Sequence, residues 1–114
     1  MSYTPEDLAF TLSAADPEDY VRIVADWLTH GAPGSRRPAS VGDEVIDALV
    51  AAAVAHLARA AGQEPPTWTR APDRILGFFW HPGSERFFAM ALAHAPAEFA
   101  ARGLFIDADS LVSV

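Results

Sequence analysis

Cysteine and lysine are both missing from the 114 residues. Without cysteine there is no disulfide framework, no thiolate metal site and no thiol nucleophile, so the fold has to rest on packing. Positive charge is scarce: 15 acidic residues face 8 basic ones, all arginine, for a formal net charge of −7. Acids outnumber bases in both halves, and Arg36-Arg37 is the one adjacent basic pair. Binding through a phosphate backbone needs clustered positive charge, so direct nucleic-acid binding is not expected. No unbroken apolar run approaches the ~20 residues of a membrane span. Met1 to Leu12 lacks the basic start of a secretory signal. These absences predict a cytoplasmic protein with no membrane contact. Glycine-rich phosphate loops, internal repeats and low-complexity tracts are absent as well.

What remains is the composition of one helical domain over residues 1–114, with 51% hydrophobic residues and about a fifth alanine. Thr4-Pro5-Glu6-Asp7 reads as a helix start, since Thr4 can accept from an unpaired backbone N–H and Pro5 suits the first turn. That helix is predicted to reach about Ala15. Asp16-Pro17-Glu18-Asp19 repeats the device, and Tyr20, Ile23, Val24, Trp27 and Leu28 then fall on one face before Gly31 as a C-cap. Gly31 to Ser40 reads as a mobile, solvated connector. Asp43 to Ala61 is the strongest helix, with Ile46, Leu49, Val50, Ala53, Val54 and Leu57 on one side and Gly62 ending it. Its alanine flank at Ala51, Ala52 and Ala55 admits close neighbours and favours a bundle.

The half from Gln63 to Val114 differs from the helical half 1–62. Pro65, Pro66, Pro72 and Pro82 stiffen an aromatic stretch expected to wrap the bundle as an ordered loop, with a short helix near Asp73 to Leu76. Ser84 is placed as the cap of a helix to about His94, with Glu85 in its first turn and Phe88, Ala91, Leu92 and Ala95 on one face. Pro96 starts a shorter helix, Gly103 closes it, and Leu104-Phe105-Ile106 is a short extended segment. Asp107 to Ser110 reads as a turn, and Leu111 and Val112 as a final apolar anchor. The expected architecture is mainly α: a bundle of about five helices with a proline- and aromatic-rich loop and a short C-terminal extended segment.

His30, His56, His81 and His94 show no ligand spacing, and a zinc site would need three or four of them or their equivalents converging. His56, on the flank of the long helix, reads as a partly buried, hydrogen-bonded residue. Ser35 and Ser84 each have one glycine neighbour where a nucleophile elbow needs two. Glu6-Asp7 and Asp43-Glu44 sit where helix dipoles favour anions. A helix-turn-helix reading of the residues before Gly31 puts Glu18, Asp19 and Asp26 against phosphate. A small enzyme using His81 or His94 with Glu85 would lack nucleophile, metal set and cofactor loop. No catalytic, cofactor or metal residues are therefore assigned.

Half of the aromatic residues lie between Trp68 and Phe88. Most should fill local core, while one or two, with nearby arginines, can anchor an interface, since Trp and Arg are enriched at hot spots. The candidate contacts are Trp68, Arg70, Arg74, Trp80 and Arg102, with the exposed acids of the first two helices.

Trp68-Thr69-Arg70-Ala71-Pro72 and the tail Ala95 to Leu111 carry a resemblance. The tail pattern is Pro96, Phe99, Arg102-Gly103, Phe105-Ile106-Asp107, running into Leu111. Over Gln63 to Val114 the chain resembles the C-terminal region of bacterial antitoxin-like proteins often encoded beside nucleotidyltransferase-like toxins. Members of that group often carry a helix-turn-helix domain ahead of this region, and this sequence shows none, so the resemblance implies toxin neutralisation rather than autorepression through DNA. It implies a cognate, basic toxin as partner, whose active cleft the chain would block. The alternative expectation is a helical adaptor or homodimerising module with no toxin. In purely physical terms the same tail is a capped helix: Pro96 presets a turn, Phe99 faces inward, Arg102 lies near the negative end of the dipole and Gly103 permits a left-handed cap.

Overall fold

In a computed structural model the described residues are 3–31, 36–82 and 93–111. Helix α1 is Pro5–Ser13, α2 Tyr20–His30, α3 Glu44–Ala60 and α4 Ala97–Ala100. Single 3-10 turns at Pro17–Asp19, Thr67–Arg70, Pro72–Arg74 and Ala108–Leu111 complete the elements among the described residues. The fold is mainly helical, and among the described residues no β-strand forms. The helix expected from Ser84 to about His94, with Glu85, Phe88, Ala91 and Leu92, lies outside the described residues apart from its end, where 93 and 94 are helical. Val112 lies outside them too.

Local chemistry sets the helix starts. Thr4 Oγ1 accepts from Asp7 N at 3.2 Å and an Asp7 carboxylate oxygen accepts from Thr4 N at 3.1 Å, a reciprocal capping box. Asp43 Oδ1 accepts from Val45 N and Ile46 N at 2.9 and 3.2 Å to start α3. Asp16 does not repeat the device: its side chain makes no cap bond, and a 3-10 turn over Pro17–Asp19 leads into α2 instead. At the other end of α3, Gly62 N donates to the Arg59 carbonyl and Gln63 N to the Ala58 carbonyl, with Gly62 at φ +72°. That is the two-bond cap a left-handed glycine allows. Gly31 ends α2 differently, at an extended φ of −75°. Glycine is required there by space, because a Cβ would stand 2.5 Å from the Trp27 carbonyl and 2.7 Å from its ring.

Helix α3 is the centre of the molecule. Residues Ile46 through Ala55 are all buried, on every side of the helix rather than along one stripe. A helix apolar all round belongs inside, and the alanines leave room for α1, α2, α4 and the turns at Thr67–Arg70 and Pro72–Arg74 to approach it from different directions. Burying Leu49, Val50 and Val54 completely contributes about 1.5–3 kcal/mol each. Trp27 fixes α2 on α1 by donating from Nε1 to the Thr4 carbonyl at 3.1 Å. The final turn, with Leu111 buried, packs against α2. The molecule measures 37 × 30 × 28 Å.

Leu104-Phe105-Ile106 finds a partner in the aromatic loop. Trp80 and Leu104 form a parallel bridge. Leu76 N donates to the Arg102 carbonyl, Trp80 N to the Gly103 carbonyl and Phe105 N to the Trp80 carbonyl, at 3.0, 2.8 and 2.8 Å. Gly103, at φ +82°, is what lets the chains run so close: a Cβ there would meet the Phe78 carbonyl oxygen at 2.7 Å.

The connector expected to be mobile is tied down over its described part, 36–40. Arg37 pairs with Asp73. Pro38 is buried, and its carbonyl accepts from Arg74 at 2.7 Å. Ser40 Oγ donates to Asp47.

Candidate functional site

Three of the five candidate contacts, Trp68, Arg74 and Arg102, are interior residues, which corrects the expectation that they meet a partner. The Pro72–Arg74 turn points Arg74 inward, where it is 1% exposed. Its Nη1 donates to the Asp47 carbonyl at 3.1 Å and Nη2 to the Pro38 carbonyl. The Asp47 carboxylate lies 3.8 Å from Nη1, and the guanidinium sits 5.2 Å from the centre of the Trp68 ring. Burial lowers the Arg74 pKa, opposed by Asp47. Arg102, 5% exposed, donates from Nε to the Thr69 carbonyl at 2.8 Å and from Nη1 to the Glu98 carbonyl at 2.6 Å. Both arginines act as internal staples, joining segments distant in sequence. Periodicity treats arginine as a surface residue and gives no hint of this.

The tryptophans are also engaged with the fold. Trp68 is buried beneath Arg74, with its Nε1 lacking a hydrogen-bond partner among the described residues. Trp80 is half-buried against Tyr20, ring centres 6.4 Å apart. Arg70 is the candidate that stays at the surface.

Large exposed apolar side chains of this loop lie outside the candidate set. Ile75 is 45%, Phe78 50% and Phe79 71% exposed. Arg74 and Leu76 are buried and Trp80 is half-buried, while the consecutive Phe78 and Phe79 both face outward. Phe79 rests edge-on against Phe105, centroids 5.1 Å apart. The three backbone bonds to 102–105 hold the segment in place. Among the acids of the first two helices, Glu6 and Asp26 are exposed, whereas Asp7 is occupied in its capping box and Asp19 pairs with Arg22 at 3.6 Å.

A separate cleft of about 460 Å³ opens between α3, α4 and the Thr67–Arg70 turn. Arg59, Arg70 and Arg102 line it with Glu98, and Pro65 and Ile75 form part of its apolar wall. Glu98 Oε1 lies 3.7 Å from Arg59 Nε, and Oε2 lies 3.4 Å from His56 Nδ1. His56 is half-buried and set edge-on to Phe99, in keeping with a hydrogen-bonded flank residue. Burial lowers the Arg102 pKa and repulsion from Arg59 and Arg70 adds to it, while Glu98 opposes. Among the described residues no group of three or more histidines and carboxylates converges to hold a metal ion. No described helix is long and apolar enough to cross a membrane. In comparisons with family models, curated proteins and solved structures, the chain matches none of them.

Proposed function

We propose that the chain is a non-enzymatic neutralising protein of the antitoxin type, binding a nucleotidyltransferase-like toxin in the bacterial cytoplasm and obstructing its cleft. The observation that carries this reading is the pair Phe78 and Phe79, half to three-quarters exposed on a backbone already fixed by hydrogen bonds to 102–105. Large aromatics on a pre-ordered segment lose little entropy on binding and make efficient interface anchors. The net charge of −7 suits a basic partner. An enzyme that handles nucleotides and RNA needs an electropositive cleft, and an acidic protein gains encounter rate and register against it. The resemblance of the tail to antitoxin-like proteins supplies the class of partner. An interface of about 1,600 Å² fits a domain of this size.

The test is co-expression with the product of the adjacent gene, followed by co-purification and a growth assay. The chain should restore growth and elute with its partner, and Phe79→Asp should weaken the complex at least about tenfold while leaving the free protein folded. Absence of binding at micromolar concentration overturns the reading. Self-association that Phe79→Asp abolishes, with no effect on the neighbouring protein, would assign these phenylalanines to a homodimer instead.

A further inference from the structure

In a chain with seven more negative than positive charges, three of its eight arginines line one cleft. The fold uses Arg102 as a staple, but its bonds do not account for Arg70 at the same cleft. Arg70 has no ion pair or hydrogen bond among the described residues, and Arg59 reaches only Glu98. Arg102, nine-tenths buried and more, commits Nε and Nη1 to backbone carbonyls, which leaves Nη2 without a protein partner among the described residues. We infer that this cleft binds a small phosphate monoester, its dianionic head among Arg59, Arg70 and Arg102 and its organic body on Pro65 and Ile75.

The charge balance selects the ligand. Three guanidinium groups less the one Glu98 carboxylate leave about two positive charges, the complement of a phosphate monoester near neutral pH. A single carboxylate would leave the arginines repelling one another, the repulsion already felt at Arg102. A nucleic-acid strand is disfavoured, because the chain as a whole carries a net charge of −7 and would repel a polyanion extending beyond the cleft. The volume falls in the ordinary range for small-molecule sites, about 300–1,000 Å³, so there is room for a head group and a ring. Neither Phe78 nor Phe79 lines this cleft, and the site does not depend on the toxin reading.

Calorimetric titration of the full chain with phenyl phosphate, adenosine monophosphate, inorganic phosphate and adenosine tests it. Both esters should bind saturably and at least about tenfold more tightly than inorganic phosphate, and adenosine should not bind. The tighter of the two esters tells a nucleotide from another monoester, and either order supports the site. The double variant Arg59→Gln/Arg70→Gln should lose about tenfold or more in affinity with an unchanged melting temperature. Glu98→Gln, which removes the opposing charge, should tighten ester binding severalfold and carries the charge test alone if the double variant does not fold. Failure of either ester to saturate at millimolar concentration, binding of inorganic phosphate as tight as that of the esters, adenosine binding, or insensitivity to these substitutions overturns the inference.

Discussion

Arg74→Met is the sharpest test of how this fold is held. Methionine keeps the unbranched apolar stem but removes the bonds to the Asp47 carbonyl at 3.1 Å and the Pro38 carbonyl at 2.7 Å, the ion pair with Asp47 and the stacking on Trp68. Hydrogen bonds from a charged donor contribute about 1.5–3 kcal/mol each. Some of the loss is cushioned, because the Asp47 carboxylate still accepts from Ser40 Oγ and from Val41 N at 3.1 Å. The expected cost is about 3–5 kcal/mol, close to that of breaking a buried pair and a large part of the ~5–15 kcal/mol that stabilises a domain. Urea unfolding followed by circular dichroism measures it, with a fall in melting temperature of roughly 10–20 °C. Arg70→Met, at an exposed position, should stay within about 0.5 kcal/mol of the parent. Combining Arg74→Met with Asp47→Asn should cost less than the sum, with a coupling of about 1–3 kcal/mol. Because Arg74 also grips Pro38, amide exchange at Val41 should accelerate in the variant. A loss below about 1 kcal/mol with unchanged exchange would refute the view that Arg74 holds the fold.

Three further outcomes follow from particular contacts. Gly42→Ala, at φ +81° with open space around it, should cost about 1–2 kcal/mol, whereas Gly103→Ala should cost more, since its Cβ would also collide with the Phe78 carbonyl; thermal melts of the two variants compare them. Ala52→Leu on the fully enclosed face of α3 should destabilise by about 1–3 kcal/mol in urea despite leucine's greater hydrophobicity. Burial, reinforced by Asp43 and Asp16, raises the Tyr20 pKa above its ordinary 10.0. In alkali the unfolded chain therefore releases this proton before the folded one does, so the stability contributed below that value falls as pH climbs toward the raised pKa. Tyr20→Phe should flatten that fall in a denaturant series run from neutral to strongly alkaline pH.

Helix positions were readable because their causes lie within one turn of the chain. The Thr4-Asp7 box, the Asp43 cap and the glycines at 62 and 103 each satisfy backbone groups three to five residues away, and the spacing of Ile46, Leu49, Val50 and Val54 marks a helix whatever surrounds it. The entry into α2 was misread where a local alternative existed, a 3-10 turn after Asp16 in place of a side-chain cap. Spacing also understated α3, because alanine is compatible with a solvated flank or a crowded interior, and only the neighbours decide which.

Local order alone specified a helical, acidic chain without thiol chemistry, where α1 and α3 begin, and that its proline-rich loop carries the aromatics. Tertiary structure decided which of those aromatics face outward and which arginines are removed from the surface. The reason is range. Arg74 meets Asp47 and Pro38 across 27 and 36 residues, and Arg102 meets Thr69 across 33, so their burial depends on carbonyls that only folding brings within reach. The outward turn of Phe79 and the arginine-lined cleft arise in the same way, from a backbone pairing and a convergence of elements that no local pattern records.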